Sequence, residues 1–475
     1  MVRRRAVAII EHGRVTFAHG FGTKGLSSTE PVHATTLFRI GSMTKALTAT
    51  ALLASADQHL VRLDARLVDV VPEVALGEPE RAQLTLRQLL SHQSGLVDAY
   101  SADGPHDDAA LSAYSTSDAF RSAEYFMNPP GLFWNYSNPN FALAGLALER
   151  LDGVPYRQAM SARVFGPLGM HRTFFLSADV LADGDYARGK STNPDGTTWD
   201  VGPDSYDNAR LRPAGYAYSS VLDYARFVQF LQSGVPRVLS QHLRHEMQRA
   251  QVSTDTVGDV DRYGLGLFVE QGLFLGQSFY PTPAVAHGGD IDGYAAEFFL
   301  LPETGFGIVT LANADWAHFT SSVVLAMQRF GGLARTTELP ASAAVDPSSF
   351  PQLAGTYVDP HFVGSVEVSA ADGAVLVSIP ALDATGIPYQ SVLAPFSRDN
   401  FILTLPGLAE LVATFIRDES GTPTWFRTRI AVGQRQPDQA IALMAAPAAQ
   451  ATRDVGALRE RIRTAARERP LALPR

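Results

Sequence analysis

Ser42 and Lys45 are the first residues whose types and spacing could carry out chemistry. Three positions apart on a helix, their side chains would lie on one face, a turn apart. A serine hydroxyl is a weak nucleophile until a nearby base removes its proton. Lysine can be that base when burial or a nearby cation lowers its pKa, whereas arginine stays charged. Ser-x-x-Lys therefore predicts an activated serine, although the pattern alone also arises by chance in many chains.

Lysine is scarce in this chain, which makes Lys45 more informative. Only three of the 39 basic residues are lysines: Lys24, Lys45 and Lys190. Arginine is used wherever a positive charge is enough, so a lysine beside a candidate nucleophile calls for another explanation. The Ala/Leu-rich run from Thr44 to Ala56 predicts a buried helix with Ser42 at its N-terminus. Backbone N–H groups and partial positive charge there suit a developing oxyanion.

The segment Tyr136-Ser137-Asn138 is the second candidate for a chemical role. Pro139 and the surrounding asparagines predict a turn just before a helix. A phenol near a lysine ammonium gives up its proton more readily, so Tyr136 could relay protons to and from the serine. The alternative is an ordinary aromatic loop packed on a core. A similar segment, Tyr206-Asp207-Asn208, occurs later, but Trp134 and the abrupt entry into a helix favour Tyr136.

The third candidate is His287-Gly288-Gly289-Asp290, which follows Ala284-Val285-Ala286 and is predicted to end a strand. Glycines allow another group to approach the backbone closely. A substrate carboxylate or carbonyl could therefore lie there against backbone N–H groups. For an isolated His-Gly-Gly, a tight turn beside an ordinary histidine is the more common explanation.

Together and in this order, the three motifs resemble the serine β-lactamase and penicillin-binding protein superfamily. The likeness is greatest to its class C β-lactamase branch, with esterases, D-aminopeptidases and D-Ala-D-Ala carboxypeptidases. Further segments look like landmarks of that branch: Thr85 to Leu96, Phe165 to Met170 and Pro213 to Tyr216. The resemblance covers about residues 5–335. It implies an α+β fold, with an antiparallel sheet flanked by helices, and a smaller all-β barrel domain is expected to follow.

The resemblance implies a catalytic role for three residues. Ser42 matches the nucleophile, Lys45 its activating partner, and Tyr136 the general base that later serves as acid. Lys45 and Tyr136 are expected to titrate as a coupled pair. The implied reaction is hydrolysis of an amide or ester bond through an acyl-enzyme, in a D-amino-acid-containing peptide or a small ester.

Substrate-binding roles are implied for four further residues. Asn138 matches the residue that binds the substrate's amide side chain, and His287 and Gly289 match the strand that lines the cleft. The backbone N–H groups of Ser42 and Asp290 match the oxyanion hole. β-Lactamases of this branch usually carry Lys-Thr-Gly where this chain has His287. That difference favours a peptidase or esterase, with β-lactamase as the alternative.

Rival classes of function find less support. An α/β-hydrolase would need Gly-x-Ser-x-Gly, which does not occur in the sequence. His242 and His245 have helical spacing but no evident third ligand, so neither a metal nor a cofactor is predicted. The alternative of another class is a non-hydrolytic penicillin-binding sensor or scaffold that stalls at the acyl-enzyme.

The amino-acid composition limits the kinds of partner that the protein is expected to bind. The chain is 46% hydrophobic and 18% charged with a net charge of −9, and Arg3-Arg4-Arg5 is its longest basic run, so nucleic acid is not expected. No apolar run reaches the roughly 18–20 residues of a membrane span. Cysteine is absent, which excludes disulfides and thiol catalysis. The expected partner is a small molecule or short peptide, and a homo-oligomer is left open.

Element patterns predict the domains. The first domain is predicted to cover residues 1–335 and to begin with a hairpin over Ala6–Phe17. Helices are predicted in it at Leu84–Leu90, Phe141–Leu151 and Ser219–Gln232. Strands are predicted at Gly264–Val269, Ala296–Leu300 and Gly307–Leu311. Residues 175–215 are predicted to be long surface excursions. A linker at 336–349, a lipocalin-like barrel at 350–445 and a helical or disordered tail at 446–475 follow. The apolar stretch after Arg5 is too short for a signal peptide, which predicts a cytoplasmic protein. The branch usually has a helix before its first strand, so the start of this sequence could be truncated, and the protein would then be expected outside the cytoplasm.

Overall fold

The computed structural model describes residues 4–437 and six residues of the tail. Within 4–437 the undescribed positions are 78, 100, 102, 124, 193–195, 206, 256–259, 276–277, 315–316 and 318. Tyr206 of the alternative Tyr-Asp-Asn segment thus lies outside the described residues. In the tail, residues 455–456, 458–459 and 462–463 are described and are helical, and the rest of the predicted tail lies outside the described part.

The first region is built on one large antiparallel sheet. The strands of this region are β1 (Arg5–Glu11), β2 (Arg14–Phe21), β3 (Phe38–Arg39), β4 (Gly189–Thr192), β5 (Thr198–Val201), β6 (Tyr218–Ser219), β7 (Val252–Ser253), β8 (Asp261–Tyr263), β9 (Phe268–Glu270), β10 (Leu273–Leu275), β11 (Ser278–Tyr280), β12 (Ala284–Ile291), β13 (Tyr294–Leu301) and β14 (Phe306–Ala312). Among the described residues, eight of them pair in the order β2-β1-β14-β13-β12-β9-β8-β7. The predicted first hairpin is confirmed, and its turn residues His12 and Gly13 both have positive φ, as a tight two-residue turn requires.

Helices cover both faces of this sheet. They are α1 (Thr44–Asp57), α2 (Leu67–Val70), α3 (Leu86–Leu90), α4 (Ala110–Ser115), α5 (Asp118–Ala123), α6 (Asn138–Asp152), α7 (Tyr156–Met160), α8 (Gly166–Leu168), α9 (Ser177–Asp183), α10 (Arg212–Gly215), α11 (Val221–Ser233), α12 (Gln241–Met247) and α13 (Thr320–Phe330). α1, α6 and α11 share one apolar core with one sheet face, while α13 packs on the other face. No helix among the described residues is long and apolar enough to cross a membrane.

Lys45 lies in α1 and Asn138 begins α6, and the sequence of each helix explains where it forms. In α1 every residue from Thr44 to Ser55 is buried, as expected for a helix that is apolar on all sides. α6 has Pro139 in its first turn, where a missing N–H costs nothing, and ends before Gly153, whose φ of 67° is the left-handed conformation that glycine adopts easily.

The C-terminal region is a closed antiparallel barrel of eight strands within the described residues 355–435. Aromatic side chains of Tyr357, Phe401, Phe415 and Phe426 contact one another and fill its interior. The strands are β15 (Gly355–Asp359), β16 (Gly364–Ala371), β17 (Ala374–Ser378), β18 (Val392–Ser397), β19 (Asn400–Leu405), β20 (Ala409–Arg417), β21 (Pro423–Arg427) and β22 (Val432–Arg435), with short helices α14 (Phe350–Leu353) and α15 (Pro380–Thr385). The predicted α+β fold followed by a β-barrel is therefore confirmed.

The prediction for residues 175–215 is wrong. This stretch contains α9, the β4–β5 hairpin and α10, and Ala187, Val201 and Arg212 are buried. The sequence has many Asp, Gly and Asn residues because several of them form ion pairs and turns inside the fold. Arg212, for example, is bound by Asp207 and Asp108, which holds the start of α10 in place.

Candidate active site

Ser42 lies in a tight turn, Gly41–Met43, that leads directly into α1. Gly41 has a φ of 51°, which favours glycine because a Cβ atom would be strained there. The turn presses against β12: a Cβ atom on Gly289 would lie 2.0 Å from the Ile40 carbonyl oxygen and 3.0 Å from the Ser42 nitrogen. The close approach predicted at this glycine is therefore made by the protein's own nucleophile turn.

Lys45 is completely buried, one helical turn from Ser42, and its Nζ contacts three oxygen atoms. Its Nζ lies 2.9 Å from Ser42 Oγ, 2.7 Å from Asn138 Oδ1 and 2.7 Å from the Ala214 carbonyl oxygen. The last two atoms accept hydrogen bonds only, so each takes an Nζ hydrogen. The remaining direction points at Ser42 Oγ, where the proton can sit on either atom. The arrangement therefore aligns Lys45 for proton exchange with Ser42.

Asp98 fixes the orientation of the Asn138 side chain. Asp98 Oδ1 accepts hydrogen bonds from the Asn138 backbone nitrogen at 2.8 Å and from its Nδ2 at 3.1 Å. A carboxylate can only accept, so Nδ2 must face Asp98 and Oδ1 must face Lys45. Asn138, expected to bind a substrate amide, thus first serves to hold the lysine.

Tyr136 lies in the loop before α6 and is 6% exposed. One side of its ring stacks on His92, with centroids 4.2 Å apart. The Lys45 ammonium lies 4.8 Å from the ring centroid, and the guanidinium of Arg429 lies over the ring at 4.5 Å. Two basic side chains thus lie within 5 Å of the centre of the phenol ring.

His92 stacks on the ring of Tyr136 and is uncharged. Burial lowers the pKa of His92 well below its usual range, and the nearby charge of Lys45 lowers it further. Its Nδ1 lies 3.1 Å from the Ser137 backbone nitrogen, which can only donate. The imidazole therefore accepts at Nδ1 and holds the tyrosine loop without adding charge.

The structure places His287 in the middle of β12 rather than at a strand end, so that prediction is wrong. The strand continues through Ile291 because the glycines pack on the nucleophile turn instead of forming a turn of their own. His287 Nδ1 lies 2.6 Å from the Gly288 carbonyl oxygen and Nε2 lies 3.1 Å from the hydroxyl of Tyr263. Nδ1 must donate to the carbonyl, and Nε2 is held by the tyrosine hydroxyl, which can donate or accept.

Three of the seven predicted site residues line the same cavity. Ser42, Asn138 and Asp290 line one small cavity together with Gly41, Leu211, Ala214, Gly215, Tyr216 and Ile291. Lys45 and Tyr136 adjoin these residues directly. His287 lies farther along β12, against Tyr263 and Phe268. Among the described residues no cluster suited to a metal ion is found.

Sequence reasoning missed two residues of this site. Asp98 follows the landmark segment ending at Leu96 and stands between the apolar residues Val97 and Ala99, which was an available signal. Arg429 comes from the barrel, and its Nε lies 2.7 Å from Asp98 Oδ2. Nothing near Arg429 in the sequence marks it out among the chain's many arginines.

A buried serine–lysine pair at the start of a helix, set against an antiparallel sheet and followed by a tyrosine loop, defines the β-lactamase/transpeptidase-like class. Residues 5–319 match the family model described as Beta-lactamase, and the chain belongs to that family. The predicted resemblance is thereby confirmed. Members of this family include hydrolases.

Curated relatives are about a quarter identical to this chain over the aligned residues. The protein named unguisins hydrolase ungD' from Aspergillus campestris is 28% identical over 66% of this chain and 58% of its own length. Penicillin-binding protein 4 from Amycolatopsis lactamdurans is 27% identical over 68% of this chain and 84% of its own. The chain thus matches little more than half the length of the fungal relative.

Solved structures resemble either the first region or the whole chain. A D-stereospecific amidohydrolase from Streptomyces sp. is 26% identical, with a TM-score of 0.54 over 68% of this chain and 93% of its own. The octameric penicillin-binding protein homologue from Pyrococcus abyssi is 22% identical, with a TM-score of 0.61 over 91% of this chain and 96% of its own. The second likeness concerns the fold alone and extends into the barrel.

Proposed function

We propose that this protein is a serine hydrolase that forms an acyl-enzyme on Ser42 and hydrolyses amide or ester bonds. The observation that carries the proposal is the 2.9 Å contact between Lys45 Nζ and Ser42 Oγ, in a buried network oriented by Asn138. Membership of the β-lactamase family supports it.

The proposed reaction has two halves. Ser42 Oγ attacks the substrate carbonyl carbon while its proton passes to Lys45 and Tyr136, and the carbonyl oxygen becomes an oxyanion facing the N–H groups of Ser42 and Asp290. The bond to the leaving group then breaks, and the leaving group takes the proton. In the second half a water molecule, deprotonated by the same pair, attacks the acyl carbon and releases Ser42.

The proposed substrate is an amide or peptide bond next to a D-amino acid, or a small ester. The amidohydrolase from Streptomyces supports this choice, and so does the D-amino acid amidase from Ochrobactrum anthropi SV3, 25% identical with a TM-score of 0.56. His287 adds support: both ring nitrogens contact protein atoms, so it offers no lysine-like ammonium to a β-lactam carboxylate. Efficient β-lactamase activity is therefore the second candidate.

The first experiment is intact-mass spectrometry after mixing with a nitrophenyl ester, a penicillin, or the D- and L-forms of phenylalanine amide, with product release followed in parallel. We expect an adduct on Ser42, continuing release, and preference for the D-amide over its mirror image. Ser42→Ala is the control and should form no adduct. A persistent adduct without turnover would favour the sensor, and no adduct from any probe would contradict the proposal.

A further inference from the structure

The β21–β22 hairpin of the barrel reaches the tyrosine loop of the first region. Its connecting residues bring Arg429 over Tyr136, with the guanidinium carbon 4.5 Å from the ring centroid. The Arg429 side chain is 11% exposed, and its Nε lies 2.7 Å from Asp98 Oδ2, whose side chain is 2% exposed. Both partners are thus largely removed from water, where an ion pair is screened little and depends strongly on its geometry.

Asp98 connects Arg429 to Asn138 by hydrogen bonds on both sides of its carboxylate. One carboxylate oxygen is bound by Arg429, and the other accepts both hydrogen bonds from Asn138. Asn138 in turn accepts from Lys45, which faces Ser42. A continuous series of hydrogen bonds therefore runs from a barrel arginine to the nucleophile.

A second arginine of the same hairpin fixes the loop that precedes Tyr136. Arg427 is 3% exposed and donates to the carbonyl oxygens of Trp134 at 2.5 Å and Thr254 at 2.6 Å. Burial lowers the pKa of Arg427 to about 10, so it remains charged at neutral pH. The Asn135 side chain also donates to the Arg429 carbonyl oxygen at 3.4 Å. The hairpin therefore contacts this loop through both main chain and side chain.

We propose that Arg429 is a positioning residue, through which the barrel completes the catalytic site. By binding Asp98 it holds Asn138 in the orientation that directs Lys45 towards Ser42, and it covers the face of the Tyr136 ring. This inference rests on the proposed function for its kinetic consequence, but its structural part can be measured without activity. Its effect on Ser42 is exerted through Asp98, Asn138 and Lys45.

The test compares Arg429→Met, Arg429→Lys and Arg417→Met in the full chain, assayed with the nitrophenyl ester. Arg417 is the matched control because its ion pair with Asp399 is similarly buried but lies within the barrel. We expect Arg429→Met to lower kcat about 100-fold with KM nearly unchanged, because small misplacements of catalytic groups cost about that much. Arg429→Lys should recover part of the loss, since lysine can still pair with Asp98, and Arg417→Met should match the wild type.

Hydrogen exchange at the Asn138 amide gives a second, activity-independent measurement. Its protection depends on Asp98, so Arg429→Met should lose protection there and Arg417→Met should not. Equal kcat and equal exchange in the two methionine variants would overturn the inference. So would a raised KM with unchanged kcat, which would make Arg429 a substrate-binding residue. If no probe acylates the wild type but exchange rises in Arg429→Met alone, the positioning role stands and the hydrolase function fails.

Discussion

At the residue scale, the three acceptors around Lys45 determine what its amine can do. The carbonyl oxygens of Asn138 and Ala214 accept two of its hydrogens, and this leaves one direction for exchange with Ser42 Oγ. An arginine could fill the same volume and keep the charge, but it does not deprotonate in proteins. Under the proposed mechanism, position 45 therefore needs a lysine for its removable proton rather than for its charge.

We predict that Lys45→Arg lowers kcat by about a thousandfold or more, because proton transfer is lost while the positive charge remains. The measurement is steady-state turnover of the ester substrate, with thermal unfolding to show that the fold persists. Lys190→Arg is the control, since Lys190 lies on the β4–β5 hairpin, and it should behave as wild type. Near-normal turnover by Lys45→Arg would refute the proton role.

At the scale of elements, the nucleophile turn and β12 are held together by two glycines. Gly41 and Gly289 face each other so closely that a Cβ atom on either would lie within 3 Å of the opposite backbone. This contact brings the backbone of Ser42 and Asp290 to the same cavity. The close packing of these two elements is thus what builds the proposed oxyanion site.

We predict that Gly289→Ala lowers kcat/KM by about 100-fold or more, because the turn bearing Ser42 must move away from β12. Acylation of Ser42 followed by mass spectrometry should slow in parallel. Gly77→Ala is the control, since a Cβ atom there meets no atom within 4 Å. Wild-type acylation rates in Gly289→Ala would mean that the turn tolerates the added atom and that the proposed geometry is wrong.

The neighbouring strands β8 and β9 pair two buried carboxyl groups, Asp261 and Glu270. The side chains are 1% and 3% exposed, and two neighbouring carboxyl groups removed from water favour a proton on one of them. Burial raises the pKa of both groups, and the charge of Asp261 raises that of Glu270 further. The folded protein therefore holds a proton that the unfolded chain releases above about pH 4.5.

We predict that the free energy of unfolding falls as pH rises above about 5, by up to about 1.4 kcal/mol per pH unit, until the pair ionises in the folded state. The sign follows because a raised carboxyl pKa gives stability that is present at low pH and lost with increasing pH. Glu270→Gln, which keeps a hydrogen-bond donor towards Asp261, should flatten this dependence in urea titrations. Exposed Glu303→Gln is the control; an unchanged slope in Glu270→Gln would count against the shared proton.

At the scale of the whole molecule, the barrel is docked on the first region through an apolar cluster as well as its arginines. Val97, Met127 and Phe133 pack against Val432 of β22. Aromatic pairs extend the contact, with Phe133 against Trp425 and Tyr125 stacked on His361. The predicted domain boundaries remain a proposal, but the barrel's contacts make it part of the same folded body.

We predict that brief digestion by a glutamate-specific protease cuts the predicted linker 336–349 at the exposed Glu338 without separating the two halves. The fragments should elute together on gel filtration because the buried contacts persist. In Phe133→Ala they should separate more readily, since the central apolar contact is lost. Separation of the wild-type fragments would contradict this interface, and failure to cut would count against a flexible linker.

The amino-acid sequence by itself determined the family and the order of the catalytic motifs. Ser42 and Lys45 are close because helical spacing dictates it, and Pro139 and Gly153 mark the ends of α6 by their backbone preferences. The pair Asp372-Gly373, a dipeptide typical of tight hairpin turns, likewise joins β16 to β17, and both residues have positive φ. These features were predictable because each depends on residues that are near one another in the chain.

Only the tertiary structure decided which distant residues complete the site. Asp98 and Arg429 are 331 residues apart, and no local pattern links them. The sequence also predicts a close approach at Gly289 without naming its partner, the turn before α1, and it predicts a strand end at His287 where β12 continues. The physical reason is that such contacts arise from packing between separately formed elements, and that packing leaves no periodic signal in the sequence of either element.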